Sequence, residues 1–203
     1  FSALTYLFVG PHTVTLEPGE VAIFDMYGAG GGGGGSAYTS AYNQPDGTDG
    51  GTVTLTYQAK TFVAGGGGKG TGGRWGNGSH YFNGEAGLGG KNLLVTDDKF
   101  QVLYNKNGED AIIGSRWDTQ LGASGYVAKL RTSHGGNGAT GVGDERWSYG
   151  GGGGGGGNLK LRCVNNETTP ITVQINVGTH GKGWSGATNK GDDGGIAAVI
   201  LTK

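Results

Sequence analysis

Tyr149 is followed by eight consecutive glycines, Gly150 to Gly157, and then by Asn158 and a strand-like segment, Leu159 to Val164. No other stretch constrains the fold so severely. Glycine loses more freedom on ordering than any other residue, and fixing one backbone unit costs about 1–2 kcal/mol. A run of this kind is either a flexible linker or a segment whose N–H and C=O groups are taken up by neighbours. The run has company: Tyr27-Gly28-Ala29 leads into Gly30 to Gly35, and Gly65 to Gly68 lies between the two. Without Cβ atoms, such segments can lie side by side as polyproline II-type helices and exchange backbone hydrogen bonds, much as glycine alone fits the collagen axis. At about 3.1 Å per residue, eight glycines would span roughly 25 Å, the thickness of a small domain.

Composition weighs against the linker. Of 203 residues, 49 are glycine, yet the chain also carries nine tyrosines, six phenylalanines and four tryptophans. Disordered chains are poor in aromatic and β-branched residues. The length suits one large domain or two small ones. A net charge of -1, with acids and bases interspersed, leaves no footprint for nucleic acid or an anionic membrane. The single cysteine, Cys163, falls in a strand-like segment and reads as a small buried hydrophobe, with no disulfide framework to support it. The opening Phe1-Ser2-Ala3-Leu4 lacks an initiator methionine, a basic leader and an apolar run of spanning length, so a piece of a longer or processed chain is expected.

Along the chain, strands feeding glycine tracts form the recurring unit. Residues 1–27 read as N-terminal strands. Leu4 to Val9 is broken by Gly10-Pro11, Val14 to Leu16 leads to a turn at Glu17-Pro18-Gly19-Glu20, and Val21 to Tyr27 runs into the first tract. Residues 28–203 read as one glycine-rich tip domain. Ser36 to Gly50 is a polar loop, Thr52 to Gln58 alternates as a half-buried strand, and Val63-Ala64 enters the second tract. Ile171 to Val177 and Ile196 to Leu201 are further strands, with a glycine-rich loop, Gly178 to Gly195, between them. A β insert is expected at about 93–132, with Lys99 to Tyr104 and Ala111 to Ile113 flanking an Asn107-Gly108 hairpin turn, and Tyr126 to Leu130 as another strand. No segment combines helical period with caps. The expected fold is mainly β and irregular: a bundle of polyglycine II helices flanked by short strands, with essentially no α-helix.

In a helix with three residues per turn, every third position shares a face. Gly67, Gly70, Gly73 and Gly76 do so, as do Gly84, Gly87 and Gly90, and Gly135, Gly138 and Gly141. Lys69, Thr71 and Arg74 fall on the other faces of the first run, so this tract is bare toward its neighbour and decorated outward.

Motifs that carry chemistry are missing. Gly65-Gly66-Gly67-Gly68-Lys69-Gly70-Thr71 imitates a phosphate-binding loop, but glycine follows the lysine and no helix follows to hold phosphate. His12, His80, His134 and His180 stand apart from one another and from any cysteine or carboxylate at ligand spacing, so they read as surface or turn residues. Asp46, Asp49, Asp192 and Asp193 match no calcium loop and read as turn-capping aspartates. No catalytic triad, acid pair, metal or cofactor is expected.

Aromatic placement does stand out. Trp75, His80, Tyr81 and Phe82 cluster in a glycine and polar segment, and Tyr38, Tyr42, Trp117, Trp147 and Trp184 also lie outside the apolar strand patterns. A glycine core has no side chains to pack, so some rings must cap it. Rings on polar loops are rigid anchors of the kind that dominate recognition surfaces.

The strand-to-tract segment Val21 to Gly35, the tracts at Gly65 and Gly150, and the ending Val177-Gly178 with Gly191 to Ile200 resemble the glycine-rich receptor-binding tip domains of bacteriophage tail fibres, including distal adhesins of T-even-like long tail fibres. The resemblance covers most of the chain outside 93–132. It implies a non-enzymatic adhesin on the virion, extracellular and attached to a tail fibre shaft, either as a monomeric cap or as one chain of a homotrimer. Its loops would bind a bacterial surface receptor, an outer-membrane protein or lipopolysaccharide. By position, those loops are Ser36 to Asp46, Arg74 to Asn83, Ser115 to Leu121 and Thr179 to Lys190, with Tyr38, Tyr42, Trp75, His80, Tyr81, Phe82, Trp117 and Trp184 as receptor-binding residues.

An alternative is an extracellular glycine-rich ligand-binding or structural module, because the ligand-binding region of anaplastic lymphoma kinase-type receptors also contains long glycine tracts. The missing disulfides weigh against a secreted animal domain. A springtail-type ice-binding bundle would need every-third glycine throughout and a flat small-residue face, and this chain has neither.

Overall fold

Apolar and polar residues alternate through Val53–Tyr57 and Ile171–Val177, and alternation of period two buries one face of a sheet. The computed structural model describes residues 3–35, 37–38, 46–75, 81–112, 133, 147–148, 150–184 and 190–203, with only the strand pairing given at 37–38, 74–75, 81–82 and 147–148. In chain order the strands are β1 (Leu4–Leu7), β2 (Gly10–Leu16), β3 (Val21–Tyr27), β4 (Ala37–Tyr38), β5 (Val53–Tyr57), β6 (Lys60–Ala64), β7 (Arg74–Trp75), β8 (Tyr81–Phe82), β9 (Phe100–Lys106), β10 (Trp147–Ser148), β11 (Asn158–Val164), β12 (Ile171–Val177) and β13 (Ala198–Thr202). No helix occurs among the described residues.

Nine of these strands build two antiparallel sheets, ordered β1-β13-β3-β11-β9 and β2-β12-β5-β6. Their inward positions form one core. Phe24 and Met26 of β3, Leu159 and Leu161 of β11, Leu55 of β5, Phe62 of β6 and Val173 of β12 are fully buried. Each such side chain contributes about 1.5–3 kcal/mol by leaving water. Cys163 belongs to this core, and burial pushes its thiol up to about 11, so it is inert as a nucleophile at neutral pH.

Most expected strands form at or near their expected bounds. Val21–Tyr27 and Ile171–Val177 coincide with β3 and β12. The turn at Glu17 to Glu20 is closed by the Glu20 N–H on the Glu17 carbonyl at 3.0 Å, with Gly19 at φ 81° behind Pro18, as a type II turn requires. Gly10-Pro11 does end the first strand, yet pairing resumes at once in the other sheet. Gly10, at φ 117°, turns the chain, and Pro11 is tolerated because β2 is an edge strand. The hairpin expected around Asn107-Gly108 does not form. Phe100–Lys106 is instead the edge strand beside β11. Beyond it the Gly108 and Ala111 N–H groups donate to the carbonyls of Gly90 and Gly87, at 2.8 and 2.9 Å. A glycine tract already lies within reach and outcompetes the local turn.

The tracts extend from the strand ends of the two sheets, and their hydrogen bonds recur every third residue. Gly28, Gly31 and Gly34 donate to Gly157, Gly154 and Gly151, each at 2.9 Å. Ala29 and Gly32 donate to Gly51 and Thr48, whereas Gly30 and Gly33 donate to Gly195 and Asp192. From the remaining sides Gly67, Gly70 and Gly73 donate to Ala29, Gly32 and Gly35, and Gly181 and Trp184 donate to Gly30 and Gly33. The segment 28–35 is thus the centre of a bundle, bonded to five neighbours and buried throughout. The every-third face expected of Gly67, Gly70 and Gly73 is the face that meets this centre. Gly87 and Gly90 likewise point their N–H groups at one neighbour, donating to Gly152 and Gly155.

Glycine is required here for space. A Cβ on Gly31 would fall onto the Gly68 carbonyl, and one on Gly153 onto the Gly31 carbonyl. Asn92 ties the bundle to the sheets: its Oδ1 accepts the Gly65 N–H at 2.9 Å, and its Nδ2 donates to Asn105 Oδ1, the Lys106 carbonyl and the Asn158 carbonyl.

Candidate functional site

The direction of each tract follows from its bonds. Segments 28–35, 65–73 and 178–184 run away from the sheets, and segments 46–51, 83–90, 150–157 and 191–195 run back. Every connection from an outward tract to a returning one therefore begins and ends at the far end of the bundle. Three of the four loops singled out in the sequence, around 36–46, 74–83 and 179–190, connect there.

Two-residue ladders mark this end. β4 pairs with β10, setting Tyr38 opposite Trp147, and β7 pairs with β8, setting Trp75 opposite Tyr81 and Arg74 opposite Phe82. β4 also lies beside β7, and β8 beside β10, so the four segments form one cluster. Trp184 stands at the same end. Its N–H donates to the Gly33 carbonyl at 3.1 Å, its carbonyl accepts the Gly191 N–H at 2.9 Å, and its side chain is half-buried.

Of the anchors expected from sequence, Tyr38, Trp75, Tyr81 and Phe82 are thus brought together by strand pairing, with Trp184 at the same end. Tyr42, His80 and Trp117 lie outside the described residues. Trp147 joins the cluster although it was not among the expected receptor-binding residues. Its signal was an aromatic placed two residues before Tyr149 and the longest tract.

Polar side chains brace the tracts beneath this cluster. Asp46 Oδ1 accepts the Gly72 N–H at 2.9 Å while its Oδ2 pairs with Lys69 Nζ at 3.0 Å. That hydrogen bond raises the Lys69 ammonium above its ordinary value. Asp49 accepts the Lys69 N–H, Asp193 the Gly183 N–H, and Thr48 Oγ1 the Lys182 N–H. Asp46, Asp49 and Asp193, expected to cap their own turns, instead bond amides of adjoining tracts, because a bare backbone presents its N–H groups sideways. These carboxylates are used by the scaffold. Among the described residues no three His, Cys, Asp or Glu side chains gather as a metal site would require. His12 Nε2 lies 2.6 Å from the Phe8 carbonyl, and His180 Nε2 lies 3.6 Å from Asp193 Oδ2.

A second feature went unread in the sequence. Phe8, Val9, Ile196, Gly178 to His180 and Lys182 line a cleft of about 370 Å³ on the flank of the molecule. Phe8, Val9 and Ile196 fall in segments that read as strands, and a strand pattern does not tell an inward ring from one left outside. Compared with protein-family models, with curated proteins and with solved structures, the chain matches none.

Proposed function

We propose that the tracts are polyglycine II helices and that the chain is a non-enzymatic receptor-binding adhesin of the tail-fibre tip type. It acts at the virion surface, carried on a fibre shaft, and recognises an outer-membrane protein or a lipopolysaccharide glycan. The observation that carries this reading is the wiring of the tracts. Bonds repeating every third residue on three faces fit a helix with three residues per turn. That wiring gathers aromatic-bearing segments at one end of a backbone-stiffened bundle. Anchors held still before binding lose less entropy on contact. Aromatic rings supply large rigid contact area to protein and sugar alike. Modest affinity at one site suffices when several fibres engage one cell.

The test is adsorption of the purified chain to a panel of Gram-negative cells and to their outer-membrane fractions. The double variant Trp75→Ala/Tyr81→Ala should lose binding while keeping the circular dichroism and melting curve of the parent. Undiminished binding by that variant refutes the assignment of the far end. Binding that survives removal of outer-membrane proteins but not of lipopolysaccharide identifies the glycan as receptor.

A further inference from the structure

The two sheets end in the edge strands β1, β9, β2 and β6, and three of these edges are blunted. Along β6, Val63 exchanges both backbone bonds with Leu93, each at 2.9 Å. β2 contains Pro11, which has no N–H to offer, and its Thr15 carbonyl accepts a hydrogen bond from the Lys203 ammonium at 2.7 Å. β9 carries a register shift that skips Leu103, and its last carbonyl, that of Lys106, accepts Asn92 Nδ2 at 3.0 Å. Proline, bulges and covering groups are the usual means of keeping an exposed edge from recruiting another strand.

β1 has none of them. Its ladder with β13 runs from Ala3 to Leu7 without a shift and contains no proline and no charged residue. Ala3 and Lys203 exchange both backbone bonds, at 2.9 and 3.0 Å. Such pairs alternate along an antiparallel ladder, so Thr5 and Leu7 also face β13. The N–H and C=O groups of Leu4 and Tyr6 therefore face away from it, with no partner among the described residues. Apolar side chains flank this bare edge. Leu4, Tyr6 and Phe8 are exposed, and the Tyr6 and Phe8 rings lie 13° from parallel with centroids 6.5 Å apart. Just past the strand, Phe8 and Val9 wall the flank cleft. Charges at that cleft offset one another, because Lys182 and His180 stand beside Asp192 and Asp193.

We propose that β1 is a docking edge for an extended, uncharged peptide segment of another protein, which adds to the five-stranded sheet alongside it. The chemistry of the guest follows from the edge. A row of unpaired peptide groups is complemented by another extended backbone, and alternate side chains of that backbone supply specificity. Leu4, Tyr6 and Phe8 recur at every second position, so the guest needs apolar side chains at the same period. The cleft beyond Leu7 takes a bulky apolar residue, and its offset charges give no hold to an acidic or basic one. An edge of this length falls well short of the about 1,200–2,000 Å² that a stable contact between folded partners buries, so it suits a peptide and not a second copy. The site is separate from the far end of the bundle and does not depend on what is bound there.

The probe is a capped, fluorescein-labelled peptide, Val-Thr-Val-Thr-Val-Phe, titrated against the full chain by fluorescence anisotropy. Saturable binding is expected. The amides of Leu4 and Tyr6 should gain protection from hydrogen exchange, and those of Thr5 and Leu7, already bonded to β13, should not change. Two versions N-methylated at alternate residues, one along each edge of the peptide, keep the side chains. One should bind like the probe and the other about tenfold or more weakly, because only one edge faces β1. Tyr6→Pro removes an outward N–H and no bond to β13, so it should melt like the parent and bind the probe equally weakly. Absent binding, equal binding by both N-methylated versions, or binding without protection of Leu4 and Tyr6 overturns the proposal. So does a free chain that dimerises with those two amides already protected, since the edge then belongs to a second copy. Trp75→Ala/Tyr81→Ala should bind the probe like the parent, so this inference and the adhesin reading fail in separate assays.

Discussion

The molecule contains two cores built on opposite principles. Between the sheets, Phe24, Phe62, Leu161 and their neighbours bury side chains, and the backbone is paired within the sheets. In the bundle, segments 28–35 and 150–157 bury backbone, and the Ala29 methyl is their one side chain. The first core is held by the removal of apolar area from water, which tolerates substitutions of similar volume. The second is held by hydrogen bonds between peptide groups at van der Waals distance, which tolerates no added atom. Stability in the bundle comes from completeness: a buried unpaired peptide group costs about 1–3 kcal/mol.

Substitutions that exploit this difference should separate the two regions. The largest effect is expected for Gly31→Val. Its Cβ would fall on the Gly68 carbonyl, a backbone atom with no rotamer to adopt. A loss on the order of 5 kcal/mol or more is expected, read as collapse of the thermal transition. Gly19→Ala supplies the contrast: its surroundings are open and only the positive φ is violated, so about 1–2 kcal/mol is expected. A Gly31→Val protein that melts like the parent would sink the close-packed backbone.

Next in size is Phe24→Ala in the side-chain core, expected to cost about 3–5 kcal/mol by urea titration. It should also accelerate labelling of the buried Cys163 thiol under mild denaturant. If the cores unfold separately, labelling will rise while the amides of 28–35 stay protected from hydrogen exchange.

Asn92→Ala is smaller and sits at the junction. It leaves the buried Gly65 N–H without its acceptor and removes three donor contacts, so about 1–3 kcal/mol is expected. Exchange at Gly65 and its neighbours should rise before any change within β11.

The mildest test is a pH series on Asp97→Asn, which touches only the sheets. Burial pushes the Asp97 carboxyl up, but the Lys99 N–H at 2.9 Å and the Lys60 ammonium at 3.0 Å outweigh it and hold the group below its ordinary value. A lowered carboxylate stabilises the fold above its unfolded pKa, about 3.9, and the contribution is lost as pH falls through the folded value. The melting difference between parent and variant should be full at neutral pH and shrink below about pH 4. A difference that widens in acid contradicts this.

Much of both regions was legible in the residues, for different reasons. In the sheets, strict alternation marks β5 and β12, since period two is a property of a single strand. In the bundle, the every-third spacing of Gly67, Gly70 and Gly73 anticipates a shared face, and the bonds to Ala29, Gly32 and Gly35 use that face. The Asn107-Gly108 hairpin misled because a turn preference of local origin is weak against a neighbouring row of free carbonyls. The aromatic cluster was legible as composition, in Trp75, Tyr81 and Tyr38, and not as an arrangement. Trp147 enters it through the pairing of its strand with that of Tyr38 and the approach of β8.

The sequence by itself determined that the tracts must be either solvated or mutually paired, which strands alternate, and that chemistry needing clustered ligands is not spelled out in any motif. These follow from local properties: the missing Cβ, the period of two, the spacing of side chains along the chain. Only the tertiary structure decided which tract bonds which, which direction each runs, and hence that three separate loops connect at one end. Glycine carries no side chain to encode a partner, so a tract's neighbours are chosen by where the strands on either side of it are held.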